Sequence, residues 1–146
     1  MVLYTSGTTG NPKGAVITRR AVINVAEWYV KYTGMSSDDV YSMYTAYTFD
    51  MHVLALFPVL VCGACLDIVP EDIRMDMHAL NEHFVQVHTT HTFMTTHLGR
   101  LFADLNMASS IRFLLFIGER LGEYTAPERL GACESYGPTE SLALVT

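Results

Sequence analysis

Ile111-Arg112-Phe113-Leu114-Leu115-Phe116-Ile117-Gly118 is the stretch on which the fold turns. It is an apolar run, broken only by Arg112 and closed by a glycine. A strand with one face in water alternates apolar and polar residues, whereas a strand covered on both faces does not. The run therefore predicts a strand buried in a mostly parallel sheet flanked by helices, an α/β fold. Working outward, strand and helix patterns alternate on both sides. Val2–Thr5 and Ala15–Ile17 read as short strands around a loop. Thr18 is placed to cap a helix whose apolar face is Val22, Val25, Ala26 and Tyr29, and Gly34 ends it. Residues 40–46 read as a strand, 49–61 as a helix despite Pro58, and 64–69 as a strand stopped by Pro70. Met77, Leu80 and Phe84 mark one further helix; Met94, Leu98, Leu101 and Leu105 mark another. Val85–Thr89 reads as β-rich. Thr125 and Glu128 form a capping-box pattern for a short helix closed by Gly131. Cys133–Tyr136 reads as a last strand before Gly137-Pro138.

A chain of 146 residues that is 50% apolar and 16% charged suits one packed domain, 1–146, and not a disordered segment. Net charge is −6 and the only lysines are Lys13 and Lys31. No basic stripe exists, so nucleic acid is not an expected partner. The apolar run from Val53 to Leu66 is interrupted by Pro58 and Gly63, and no membrane partner is expected. The first residues carry no basic, signal-like pattern, so a cytoplasmic location is the expectation. Cys62 and Cys65 are formally a CxxC pair, but no further ligands stand at zinc spacing. They read as buried thiols around a turn at Gly63. The histidines at 78, 83, 88, 91 and 97 cross helix, strand and loop patterns and show no metal-binding spacing.

Alternating strands and helices place ligands at the carboxyl ends of parallel strands. Three loops follow expected strands: 5–14, 118–121 and 137–140. The first, Tyr4-Thr5-Ser6-Gly7-Thr8-Thr9-Gly10-Asn11-Pro12-Lys13-Gly14, has three glycines that permit close backbone approach and exposed N–H groups. The hydroxyls of Thr5, Ser6, Thr8 and Thr9 and the Lys13 ammonium add donors. Together they suit a polyphosphate, although not as a Walker loop, because Pro12 precedes Lys13 and Gly14 follows it. The bland alternative is a glycine–threonine hairpin.

The stretch YTSGTTGNPKG resembles the signature loop of the adenylate-forming (AMP-binding) superfamily. Tyr136-Gly137-Pro138-Thr139-Glu140 is similar to the YGPTE motif of its peptide-synthetase branch. Phe49-Asp50 is similar to the FDxS motif of amino-acid-activating members, and Gly118-Glu119 to the loop beside adenine. The four fall in the family's order and cover nearly the whole chain. The resemblance implies part of the large subdomain of a nonribosomal peptide synthetase adenylation domain. Such an enzyme converts ATP and an amino acid into an aminoacyl-adenylate, then passes the acyl group to the phosphopantetheine thiol of a peptidyl carrier protein.

Carried over residue by residue, the resemblance implies that Thr5, Ser6, Gly7, Thr8, Thr9, Gly10 and Lys13 hold the pyrophosphate end of ATP. Gly118 and Glu119 border adenine and Tyr136 stacks on it, with Glu134, Ser135, Gly137 and Pro138 on the same nucleotide side. Thr139 donates to the α-phosphate and Glu140 helps to hold Mg²⁺, so Lys13, Thr139 and Glu140 are the expected catalytic residues. Asp50 pairs with the substrate's ammonium. An acid flanked by Phe49, Met51 and Val53 is costly to bury without such a partner, unless it caps a helix. The implied side-chain pocket is Met51, Leu54, Thr89, Leu115, Ile117, Ser135, Ala143 and Leu144, which favours a medium-sized apolar amino acid. Leu115 and Ile117 read equally well as core. His52 departs from the FDxS serine, and Glu134 stands where the family usually has Asn. His91 is placed near the site.

The family's ribose-binding segment, hinge and lysine-bearing C-terminal domain have no counterpart in these residues. The expectation is a fragment that needs the remainder of the adenylation domain, is inactive by itself and exposes apolar surface. Two alternatives stay open: a fatty-acyl or aryl-acid ligase of the same superfamily, in which Asp50 has no ammonium to meet, and a non-catalytic substrate-specificity subdomain.

Overall fold

The computed structural model describes residues 1–5, 10–105, 108 and 110–142, and the backbone of 144 and 145. Strands β1 (Val2–Thr5) and β2 (Lys13–Val16) pair antiparallel as a separate hairpin. Helix α1 (Arg19–Thr33) follows. Then come β3 (Val40–Met43), α2 (His52–Cys62), β4 (Cys65–Ile68), α3 (Met77–Val87), β5 (His91–Thr95), α4 (Thr96–Asp104), β6 (Phe113–Ile117), β7 (Gly131–Tyr136) and β8 (Leu144–Val145). The last six strands form one sheet in the order β4-β3-β5-β6-β7-β8, parallel except for the β7–β8 pair. The α/β class expected from the sequence is the class observed.

β6 shows why. All five of its residues are buried, and they divide by parity between two cores. Phe113, Leu115 and Ile117 join Tyr29, Tyr41, Met51, Leu54 and Phe93 beneath α1 and α2. Leu114 and Phe116 join Leu80, Phe84, Met94 and Phe102 beneath α3 and α4. Alternate side chains of a strand point to opposite faces, so an uninterrupted apolar run is what two covered faces require. α4 lies so close to the sheet that a Cβ on Gly99 would stand 2.8 Å from the Phe116 ring. Thr18 caps α1 by accepting the Ala21 N–H at 3.1 Å, and Gly34 ends the helix as read from the sequence.

Several expectations are corrected. Residues 85–87 belong to α3, not to a strand. Asp76 starts that helix by accepting the His78 and Ala79 N–H groups, and Leu80 and Phe84 bury its face, so packing overrides the β-branched Val85 and Val87. His88, at φ 57°, ends it. The strand begins at His91 and takes Met94 into the core, which removes Met94 from the α4 face. Residues 125–131 are not helical. Leu130 N–H closes a turn on the Pro127 carbonyl, and Leu130 enters the core. α2 begins at His52, and β3 stops at Met43. β8 was not anticipated. Cys65 is exposed and Cys62 only half-buried, so they are not the buried thiols expected; all three cysteines are free, and burial pushes the Cys133 thiol up to about 12. No described helix is long and apolar enough to cross a membrane.

Candidate functional site at the carboxyl edge of the sheet

The loops that leave β3, β6 and β7 meet at the carboxyl edge of the sheet. Between them lies a cavity of ≈ 240 Å³, lined by Phe49, Asp50 and Met51 after β3, Ile117 and Gly118 at the end of β6, and 135–139 at the end of β7. A second cleft runs from Asp50, Phe49 and Thr139 to Thr48 and to Leu3, Tyr4 and Thr5 of the hairpin. Asp50 and Thr139 belong to both. Their side chains are joined: the Thr139 hydroxyl donates to Asp50 Oδ2 at 2.6 Å.

Packing brings these distant segments together. A small core of Ile17, Val22, Val53 and Leu142 ties the end of the hairpin, α1, α2 and the turn after Pro138 into one unit. Leu142 enters it from a left-handed conformation, φ 52°, after the 3₁₀ turn Thr139–Ser141. Thr139 is thereby held over the loop that carries Asp50. α2 has Met51 as its N-cap and no side-chain cap, so Asp50 does not cap it. The carboxylate instead turns to Thr139.

The loop after β6 is fixed from two sides. Gly118 takes φ 90°, a conformation that side chains rarely adopt, and turns the chain over the cavity. The Thr96 hydroxyl of α4 donates to the Glu119 carbonyl at 2.7 Å, with the Ile117 carbonyl 3.3 Å away as its alternative acceptor. Arg100, one helical turn later, donates to the carbonyls of Leu121 and Glu123. From β7, Glu134 Oε2 accepts the Leu121 N–H at 2.9 Å. Glu134 is thus engaged with the loop backbone. Thr96 and Arg100 escaped the sequence reading; their spacing of four on one helix face was the available signal, but their targets lie 21 or more residues away.

The other expected site residues fall into groups. Met51, Ile117 and Ser135 line the cavity beside Asp50, with Gly118, Tyr136, Gly137 and Pro138. Thr5 lines the second cleft, and Lys13 is its direct cross-strand partner, on the same face of the hairpin. Gly10 is exposed, as are Glu119 and Glu140. Leu54 and Leu115 are buried in the core and do not reach the cavity. Thr89 is also wholly buried; its hydroxyl meets that of Ser42 at 2.6 Å, ahead of the amino end of β5. The placement of His91 near the site is likewise corrected, since His91 is buried at the start of β5. Ser6, Gly7, Thr8, Thr9 and Ala143, and the side chain of Leu144, lie outside the described residues. Among the described residues no cluster of three or more His, Cys, Asp or Glu could enclose a metal ion.

A parallel sheet whose strand-end loops enclose adjoining clefts, one reaching a glycine-rich hairpin, defines an α/β domain with a candidate ligand site at its strand ends. The chain belongs to the AMP-binding enzyme family, whose model matches residues 1–146. It is 34% identical over 145 residues to surfactin synthase subunit 2 of Bacillus subtilis (strain 168), covering 99% of this chain and 4% of that protein. The chain therefore spans a small part of the curated relatives it matches. Its fold is that of the Klebsiella oxytoca NpsA N-terminal subdomain solved with 3-hydroxybenzoyl-AMSN (TM-score 0.77, 23% identity, 99% of this chain and 39% of that one). It is equally that of the Vibrio cholerae adenylation domain AlmE solved with glycyl-adenosine-5'-phosphate (TM-score 0.78, 24% identity, 95% and 28%). The resemblance to nonribosomal peptide synthetase adenylation domains extends over essentially the whole chain.

Proposed function

We propose that this chain supplies the nucleotide and amine subsites of an enzyme that activates an amino acid as its aminoacyl-adenylate, with ATP as co-substrate, for transfer to a carrier-protein thiol. The observation that carries the reading is the sharing of Asp50 and Thr139 by two adjoining clefts, one of which reaches the hairpin. Adenylation requires a carboxylate to attack an α-phosphorus already surrounded by negative oxygens, so donors must meet the developing charge. The residues fit that demand. Tyr136, two-thirds exposed at the cavity mouth, offers a ring face to adenine beside Gly118. Thr139 donates to the α-phosphate. Thr5 lines the second cleft, and Lys13, its partner across the hairpin, supplies positive charge for the departing pyrophosphate.

Asp50 takes the substrate ammonium. Among the described residues no cation pairs with it, so its charge is left for a ligand. Met51 and Ile117 form the apolar wall beside it and favour an apolar side chain, selected by shape. Glu140, exposed on the 3₁₀ turn, is one carboxylate of the kind Mg²⁺ takes together with phosphate oxygens, which suits a site with no all-protein cage. Bound there, the ion would neutralise phosphate charge.

The test is a pair of titrations followed by amide NMR. AMP is expected to shift Gly118, Tyr136 and Thr139. One or more of the twenty standard amino acids is expected to shift Asp50 and Ile117, and Asp50→Ala to abolish that response. A chain that binds AMP together with benzoate or a fatty acid, and no amino acid, would overturn the amine assignment in favour of an aryl- or fatty-acid ligase.

A further inference from the structure

The link between Asp50 and Thr139 has a consequence for the order in which the two subsites fill. This inference rests on the functional reading above. A threonine hydroxyl owns one proton and can donate it to one acceptor at a time. In the structure that proton goes to Asp50 Oδ2, across a short 2.6 Å bond between residues 89 apart in sequence. Both residues line both clefts. We infer that the Thr139 hydroxyl is a shared donor, held by Asp50 in the empty site and surrendered to a phosphate oxygen when nucleotide enters, so that nucleotide binding frees the Asp50 carboxylate for an ammonium group.

The chemistry follows from the acceptor set. A phosphate at Thr139 must compete with a carboxylate for the same proton, which weakens nucleotide binding in the empty site. Once the proton has moved, Asp50 Oδ2 has lost the one hydrogen bond it accepts among the described residues and is an anion in need of a donor. An ammonium supplies three. Each ligand therefore removes an obstacle to the other, and by linkage the assistance is mutual. Thr139 is in this sense a positioning residue for the amine subsite as well as a ligand of the nucleotide.

AMP affinity is to be measured by NMR titration for the wild type, Asp50→Asn, Thr139→Val and the double variant. Asp50→Asn replaces a charged acceptor by a neutral one, and is expected to tighten AMP about fivefold when Thr139 is present. In the Thr139→Val background, where no proton is shared, the same change is expected to have little effect beyond charge relief. Saturating AMP is expected to raise the affinity for the amino acid that binds in the wild type and in Thr139→Ser, which keeps the donor, but not in Thr139→Val. Equal effects of Asp50→Asn in both backgrounds, or amino-acid affinity indifferent to AMP, would overturn the shared donor and leave the functional reading intact. Absence of AMP binding from all four proteins would overturn that reading and this inference with it.

Discussion

Two aspartates at opposite ends of the same sheet are treated in opposite ways. Asp39, just before β3 at the amino end, is 3% exposed and fully engaged by the chain itself. Arg112 donates to its Oδ1 at 2.6 Å, and the Ser36 N–H and hydroxyl donate to Oδ2. Burial alone would raise its carboxyl, but hydrogen bonds from Ser36, Thr90 and Arg112 outweigh burial and hold it below the ordinary value. Beside it His91, stacked between Tyr41 and Phe113, is kept neutral; burial lowers it to about 4, more than the Asp39 charge raises it. Asp50, at the carboxyl end, is half-buried and has one hydroxyl for company. A charge that the fold has satisfied serves stability, and a charge that it has left open serves a ligand.

The comparison breaks most easily at Asp39. Asp39→Ala strands a cluster of donors in the interior and is expected to cost about 3 kcal/mol of stability, measured by urea unfolding, with AMP binding unchanged below the transition. The loss is limited because Arg112 is 55% exposed and can regain water. An effect of similar size is expected from acid. The folded His91 value lies below its unfolded value of 6.5, so the unfolded state binds the additional proton between about pH 6.5 and 4. Stability attributable to His91 is whole above that window and falls as pH drops through it, by about 3 kcal/mol, and His91→Gln should flatten that slope. Asp39 acts in the same direction at lower pH, where its carboxylate takes up a proton.

Glu134→Ala removes one support of the loop after β6 and is expected to cost about 1 kcal/mol locally, read as faster hydrogen exchange at the Leu121 amide with little change elsewhere. The smallest effect on stability sharpens the contrast most. Asp50→Asn should lie within about 0.5 kcal/mol of wild type, while ammonium recognition is lost. A loss comparable to that of Asp39→Ala would make Asp50 structural and remove the contrast.

What was legible in the sequence was what local pattern and chain order carry. The run ending at Ile117 gave a strand covered on both sides, and the loops at 5–14, 118–121 and 137–140 could be placed at strand ends. β5 was not legible, because its His91 and Thr92 are polar yet wholly buried. They are accommodated by long-range contacts, such as Thr92 Oγ1 donating to the Ser42 carbonyl 50 residues away. Val87 carries β propensity, but its fate was set by the Asp76 cap eleven residues earlier. Within the site, the residue types around Asp50 and Thr139 could be named, but their bond could not, because only folding brings together residues 89 apart. Leu54 and Leu115 lie in the core and not on the cavity wall, a distinction the sequence does not carry, because apolar residues near a site and apolar residues in a core look alike one at a time.

The missing Cβ at Gly99 lets α4 settle against β6, and from that seat Thr96 and Arg100 reach the backbone beyond Gly118 while Glu134 reaches it from β7. Anyone transplanting selectivity by exchanging short segments therefore inherits a constraint on where to cut. Single replacements at Met51 or Ile117 leave this scaffold whole. A chimaera with a junction between 100 and 134 would mate a helix from one parent with a loop from another, and its nucleotide-side rim would be assembled from parts that had never been fitted to each other.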